Sequence, residues 1–353
     1  MTQEPRTLAD CGWNAFFQSQ LDLEETAETI PVRVMAVHRG GLEVLGPERA
    51  GLIPPSAGSG DDPESAATVG DWLLLERSDG RVRRRLDRAS LFKRRAAGQG
   101  RALQLIAANV DTLFVVSSCN QDFNVARLER YLALAREAEV TPLVVLTKAD
   151  LCADPRPFLR ESERLLPGLL VETLDARDPG AVEVLRPWCG PGQTVALLGS
   201  SGVGKSTLVN SLTGRVGQKT AGVRLDDDKG RHTTTGRSLH RLPAGGWLLD
   251  TPGMRELQLV DVASGLEEVF ADIEELVRAC RFADCSHGGE PGCAVKAAIA
   301  EGRLDETRLK RWLKLRAEEA FNAESLAERR QRSRAFGRLY KEVQKHKRRR
   351  YDD

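Results

Sequence analysis

Hydrophobic positions along the chain change their period twice, and each change marks a different architecture. Between residues 30 and 91 they alternate. Val32-Arg33-Val34-Met35-Ala36-Val37 has the period of two expected of a half-buried strand, Gly40-Gly41 turns the chain, and Leu42 to Leu45 answers it. A loop rich in Pro, Gly, Ser and Asp runs from Pro54 to Ser65. Asp71 to Glu76 reads as another strand, Asp79-Gly80 as a hairpin turn, and Arg81 to Leu86 as its partner. Short strands joined by tight turns predict a small antiparallel barrel, with the OB-fold as the best match.

The next segment places continuous apolar runs between helical patterns. Leu113-Phe114-Val115-Val116 is apolar at every position, as in a parallel strand covered on both faces. Leu128, Leu132 and Ala135 mark one face of a helix that opens at Asn124. Leu143 to Thr147, Leu169 to Thr173, Thr194 to Leu198 and Trp247 to Leu249 read as further strands, and a helix starts at Lys205. That alternation predicts a doubly wound α/β sheet. Beyond Val262 strands stop and helical text follows, with Leu309, Trp312 and Leu313, then Phe336, Leu339, Tyr340 and Val343. The chain therefore divides into a barrel at 28–95, an α/β domain at 96–262 and a mostly helical domain at 263–353.

Composition adds limits. The 353 residues are 41% hydrophobic and 29% charged, the balance of a globular protein with real cores, and no run approaches the ~20 apolar residues of a membrane span. Met1 to Gln20 lacks the charged-then-apolar pattern of an export signal. Seven cysteines are an odd number and mostly scattered, which fits a reducing cytoplasm better than a disulfide framework. Net charge is only +1, yet basic residues cluster at Arg81, Arg83, Arg84, Arg85, Arg88, Lys93, Arg94 and Arg95, and again from Lys341 to Arg350. Such blocks read either as solvated charged faces or as contacts to an anionic partner.

Candidate chemistry sits in three places. Gly199-Ser200-Ser201-Gly202-Val203-Gly204-Lys205-Ser206 is a complete phosphate loop between a strand and a helix. Its glycines let backbone N–H groups face phosphate oxygens, Lys205 supplies charge to the outer phosphates, and Ser206 offers a hydroxyl to Mg²⁺. Thr207 follows in the same first helical turn. Asp250-Thr251-Pro252-Gly253 lies at a strand end, where Asp250 can hold Mg²⁺ and Gly253 leaves its N–H for a γ-phosphate. Between them lies Gly230-Arg231-His232-Thr233-Thr234-Thr235, in which one threonine should reach Mg²⁺, with Thr234 favoured. Thr147-Lys148-Ala149-Asp150 is a guanine-reading motif: Asp150 accepts from the ring N–H and the exocyclic amine of guanine, and the Lys148 stem can cover the base. Alone it also reads as a polar turn after a strand. Thr147 stands where asparagine is usual, and the segment backing the base is placed near Glu172-Thr173-Leu174. Met254 occupies the position of the glutamine that orients water in small signalling GTPases. His232 is then the candidate for that task, or simply a surface histidine.

Cys280, Cys285, His287 and Cys293 form the third place. Three thiolates and one imidazole make a closed tetrahedral set, the chemistry of structural rather than catalytic zinc.

The order of these motifs is the informative part. The guanine motif precedes the phosphate loop, whereas in ordinary GTPases it follows. With GRHTTT, DTPG and the cluster ending Glu290-Pro291-Gly292-Cys293, the chain resembles the circularly permuted GTPases of bacterial ribosome assembly, specifically the ribosome small-subunit-dependent GTPase A family. The resemblance covers Val32 to the last helices. It implies an OB-fold, a permuted GTPase domain and a zinc-binding helical domain. It also implies late maturation of the small ribosomal subunit, contact with its rRNA, and hydrolysis of GTP to GDP stimulated by that particle. A monomer is expected. Two other readings are a nucleotide-gated RNA-binding module reset by slow hydrolysis and an ATP-using kinase or transport ATPase, which Asp150 and the switch text oppose. The chain order further suggests that nucleotide state tilts both flanking units.

Overall fold

The computed structural model describes residues 7–38, 40–54, 63–95, 103–214, 237–250 and 262–323. Two short helices, α1 (Ala15–Gln18) and α2 (Leu23–Glu28), precede β1 (Thr29–His38), β2 (Gly41–Leu45), β3 (Ala50–Ile53), β4 (Trp72–Glu76) and β5 (Val82–Arg85). These five strands pair antiparallel and enclose a small core of Val32, Val34, Leu42, Val44, Ile53, Leu73 and Leu75. β1 and β2 were legible from alternation. β3, which is exposed at three of its four positions, was not. A hairpin of β6 (Leu91–Arg95) and β7 (Leu103–Ala108) follows.

Strands and helices then alternate: β8 (Thr112–Ser118), α3 (Val125–Glu137), β9 (Thr141–Thr147), α4 (Arg156–Glu163), β10 (Leu170–Thr173), α5 (Pro179–Val182), β11 (Thr194–Gly199), α6 (Lys205–Leu212), β12 (Ser238–Arg241) and β13 (Trp247–Asp250). As expected, Asn124 opens α3, its side chain accepting from the Arg127 N–H at 3.0 Å. The strand order β10-β9-β8-β11-β13 is parallel throughout, and antiparallel β12 borders β13. A single bridge, Ala36 to Ser238, continues the sheet into β1. The unbroken apolar runs are covered on both faces. Leu113, Val115, Val144 and Leu146 pack beneath Leu128 and Leu132 of α3, while Phe114, Val116, Leu143 and Val145 pack with Leu185 and Leu208 on the other side.

Four helices complete the described chain: α7 (Ala263–Val269), α8 (Ala271–Arg278), α9 (Ala294–Ala300) and α10 (Glu306–Ala323). The expected helix about Phe336 to Val343 lies outside the described residues. α7 crosses α3 so closely that a Cβ on Gly265 would sit 2.1 Å from the Ala133 carbonyl oxygen. Only glycine fits there.

Two buried charges fasten the flanking segments to the sheet. Glu129 of α3 is fully buried and accepts from Arg311 Nε at 2.7 Å and Arg308 Nη1 at 3.0 Å, both on α10. Burial raises its pKa and the two guanidiniums oppose that shift. Arg33 of β1, 1% exposed, donates to the Cys11 carbonyl at 2.7 Å, the Asn109 carbonyl at 3.0 Å and Thr194 Oγ1 at 2.9 Å. Desolvation lowers its pKa to about 10, so it stays charged at neutral pH. The N-terminal segment that supplies Cys11 also packs Trp13 and Phe17 on Trp72, with ring centroids 4.8 and 5.8 Å away, and receives the Trp247 indole N–H at the Asp10 carbonyl.

The basic block at 81–95 changes meaning in the fold. Arg83 pairs with Glu76 and Glu28, Arg84 with Glu25, Arg88 with buried Asp71, and Lys93 with Glu64. Among the block's described side chains only Arg81 is exposed, and it lies 3.3 Å from Asp79. The block braces the N-terminal strands; it is not an open cationic face. The Lys341–Arg350 block lies outside the described residues.

Glu129→Ala leaves Arg311 without its carboxylate and Arg308 with Asp272 alone, at a mostly buried interface. It should cost about 3–5 kcal/mol, the range for breaking a buried ion pair. Calorimetry should show a thermal midpoint lower by several degrees; an unchanged midpoint would remove Glu129 from the interface.

Candidate functional site

Parallel pairing brings the ends of β9 and β11 to one edge, separated by β8. The guanine motif leaves the first and the phosphate loop leaves the second. In that loop Gly202 and Gly204 have φ of 83° and 93°, conformations that glycine adopts without strain. Lys205 Nζ donates to the Gly199 carbonyl at 2.6 Å and to the Ser200 carbonyl. Ser206 and Thr207 lie half-buried in the first turn of α6, and no side chain caps that helix start. Its N–H groups are therefore of the kind that receives an anion.

Thr147 has a task the sequence did not disclose. It is fully buried, and its hydroxyl lies 2.5 Å from the Val203 carbonyl oxygen and 3.0 Å from that of Ser117. With one proton to give, it donates to the nearer Val203, tying the base motif to the phosphate loop. A Cβ on Gly204 would stand 3.2 Å from that same hydroxyl, so the loop packs directly against it. Lys148 follows in the left-handed region at φ 59°. Asp150 accepts from Arg177 Nη2 at 2.5 Å, and Arg177 also braces Asp175 at 3.2 Å. The Arg177 guanidinium holds the Asp175 carboxyl below the usual range. The expected base-backing segment ends β10: the Leu174 N–H donates to the Leu146 carbonyl and the Ala149 N–H to the Leu174 carbonyl. Arg177 escaped the sequence reading because it lies 27 positions from Asp150 and belongs to no motif.

His232, Thr234 and the rest of Gly230–Thr235, with Gly253 and Met254, lie outside the described residues, as does the Asp250 side chain. The Asp250 backbone ends β13, paired with Ser238.

The four soft side chains converge. Donor atoms of Cys280, Cys285, His287 and Cys293 all lie within 4.8 Å of one another. His287 Nδ1 is 3.7 Å from Cys280 Sγ and 3.6 Å from Cys293 Sγ. Burial lowers the His287 pKa, which favours the neutral imidazole a metal needs. Burial opposes ionisation of Cys280, but the N–H groups of Val295 and Ala294 hold it below its ordinary value. Cys285 is pushed up to about 11, first by burial. Full ionisation of such a set calls for a divalent cation, and three thiolates with one imidazole fit zinc. The His287 ring lies 5.9 Å from that of Trp312, whose indole N–H donates to Glu274, so the cluster rests on α10.

Residues 85–260 match the sequence model of a family described as RsgA GTPase. The chain is 52% identical over 343 residues to the small ribosomal subunit biogenesis GTPase RsgA 2 of Vibrio parahaemolyticus, covering 97% of this chain and 94% of that one. It is also 52% identical over 328 residues to RsgA of Mesorhizobium japonicum, covering 91% and 92%. Among solved structures, YjeQ from Thermotoga maritima matches at TM-score 0.59 and 26% identity over 81% of this chain and 97% of that chain. YloQ, described as a circularly permuted GTPase, matches at TM-score 0.57 and 22% identity over 84% and 97%, a likeness of fold.

Cys285→Ser removes one soft donor of four. Because binding of structural zinc is of order 10–16 kcal/mol and coupled to folding, the variant should lose its metal and loosen 263–323. Elemental analysis finding one zinc per chain in the variant would refute the ligand set.

Proposed function

We propose, from the premise that this chain belongs to the RsgA GTPase family, that it hydrolyses GTP on the small ribosomal subunit as a checkpoint in late maturation, with hydrolysis stimulated by the particle. The observation that carries this reading is the contact between the two motifs: Thr147 of the guanine motif bonds Val203 of the phosphate loop although the chain visits them in rotated order.

Roles follow from the chemistry of the positions. Asp150 reads guanine, with Lys148 over the base and Thr147 joining base and phosphate sites. A carboxylate oxygen carries two lone pairs, so Asp150 can keep Arg177 while it accepts from guanine. Gly199 to Gly204 present amides to the phosphates, and Lys205, released from its loop carbonyls, meets their charge. Ser206, Asp250 and Thr234 would hold Mg²⁺, which neutralises charge developing on the phosphates. Gly253 gives its N–H to the γ-phosphate, and His232 orients water because Met254 cannot. Cys280, Cys285, His287 and Cys293 hold one structural zinc.

The flanking units complete the proposal. The five antiparallel strands with their own core support an OB-fold at 28–95 as an RNA-binding unit beside the GTPase domain at 96–262 and the zinc domain at 263–353. The internal pairing of Arg83, Arg84 and Arg88 moves the expected electrostatic contact with rRNA to the Lys341–Arg350 block. The free cysteines fit a cytoplasmic location, a monomer is the expected state, and no helix among the described residues is long and apolar enough to cross a membrane.

Asp150→Asn places a donor where the carboxylate accepted. A discrimination of roughly 10⁴ against other bases should collapse, and xanthosine triphosphate should bind better than GTP. Competition binding that leaves GTP preferred over ATP as in wild type would misplace the base site.

Alone, the protein should turn over at roughly 10⁻⁴ to 10⁻² s⁻¹, the range of unassisted GTPases. Purified small subunits should raise that rate, and added salt should lower the stimulation steeply. His232→Ala should keep GTP and particle binding yet lose most of the stimulation. Unchanged stimulated turnover would take His232 out of the mechanism, and a wild type unmoved by any ribosomal particle would undo the functional reading.

A further inference from the structure

One carboxylate organises the turn that carries His287. Glu290 Oε1 accepts from the Ser286 N–H at 2.8 Å and from the Ser286 hydroxyl, while Oε2 accepts from the Gly288 N–H at 2.9 Å and the Gly289 N–H at 3.0 Å. Three backbone amides and a hydroxyl thus converge on a side chain that is not itself among the four clustered donors. The residue they encircle, His287, is held in the left-handed region at φ 59°, a conformation that an L side chain keeps only when its surroundings fix it. Glu290 also grips the opposite side of the cluster, because its carbonyl accepts from the Cys293 N–H at 3.3 Å. The Arg281 N–H donates to the Gly292 carbonyl at 3.1 Å, closing the loop next to Cys280.

We propose that Glu290 is the positioning residue of the metal centre: it shapes the 286–289 turn so that His287 Nδ1 faces the thiols before an ion arrives. The proposal rests on the zinc reading of the four ligands. An exposed turn without this acceptor would give its amides to water, and the imidazole would lose its fixed direction. A ligand ordered in advance loses less freedom on binding, so the ion leaves more slowly.

The test uses the full-length zinc-loaded chain and follows zinc transfer to a chromogenic chelator. E290A should release zinc about 10–100-fold faster than wild type, the range for loss of an outer partner of a metal ligand. E290Q, which keeps one acceptor oxygen in the same shape, should fall between the two and carries the test alone where E290A fails to fold. GTP affinity, read on the same samples, should not change. Release from E290Q or E290A at the wild-type rate would overturn the role of Glu290. A wild type that holds no zinc would instead overturn the ligand set beneath it.

Discussion

Parallel pairing of β9, β8, β11 and β13 is the constraint from which the site follows. In a parallel sheet every strand ends at the same edge, so loops leaving those ends meet wherever they fall in the sequence. Thr147 ends β9 and Gly199 ends β11, and the hydroxyl of the first motif reaches the backbone of the second across 56 positions. Rotating the order in which the chain visits the strands leaves that edge intact. A permuted GTPase can therefore keep the geometry of an ordinary one, because the sheet and not the chain order assembles it.

What permutation alters is the attachment of the flanking segments. Chain order suggested that nucleotide state tilts both units, and the described contacts define what such a tilt would have to break. A tilt of α10 away from α3 would uncover Glu129, and a shift of β1 would strip Arg33 of three acceptors. Each would expose or orphan a buried charge at a cost of several kcal/mol. The Thr194 that Arg33 reaches begins β11, the strand that ends in the phosphate loop. The N-terminal strands are thus fixed to the same strand that holds the nucleotide loop.

The cysteine–histidine cluster extends this chain of support. Cys280 follows α8 and Cys293 caps α9, its sulfur accepting from the Lys296 N–H. His287 rests against Trp312, and Trp312 and Arg316 of α10 both reach Glu274 of α8. Helices this short have little stability by themselves. The convergence of Cys280, Cys285, His287 and Cys293 and the seat on α10 give them a fixed arrangement.

The sequence by itself determined whatever rests on local chemistry. Apolar runs named β8, β9 and β11 because a strand covered on both faces needs hydrophobic side chains at every position. Asn124 announced α3 because a helix start needs a side-chain acceptor. The strand–loop–helix context of the phosphate loop and the convergence of the four soft side chains were legible because each pattern admits few residue types at fixed spacing. Tertiary structure decided what depends on distant partners. Exposed β3 and the short β12 between β13 and β1 lack a periodic signal, since pairing more than packing makes them strands. The arginines of 81–95 look like a cationic face in one dimension, and only the fold brings Glu25, Glu28, Asp71 and Glu76 to them. Arg177, Arg33 and the bond from Thr147 to Val203 were invisible for the same reason: a side chain's role there is set by a partner tens of positions away, and only folding supplies the partner.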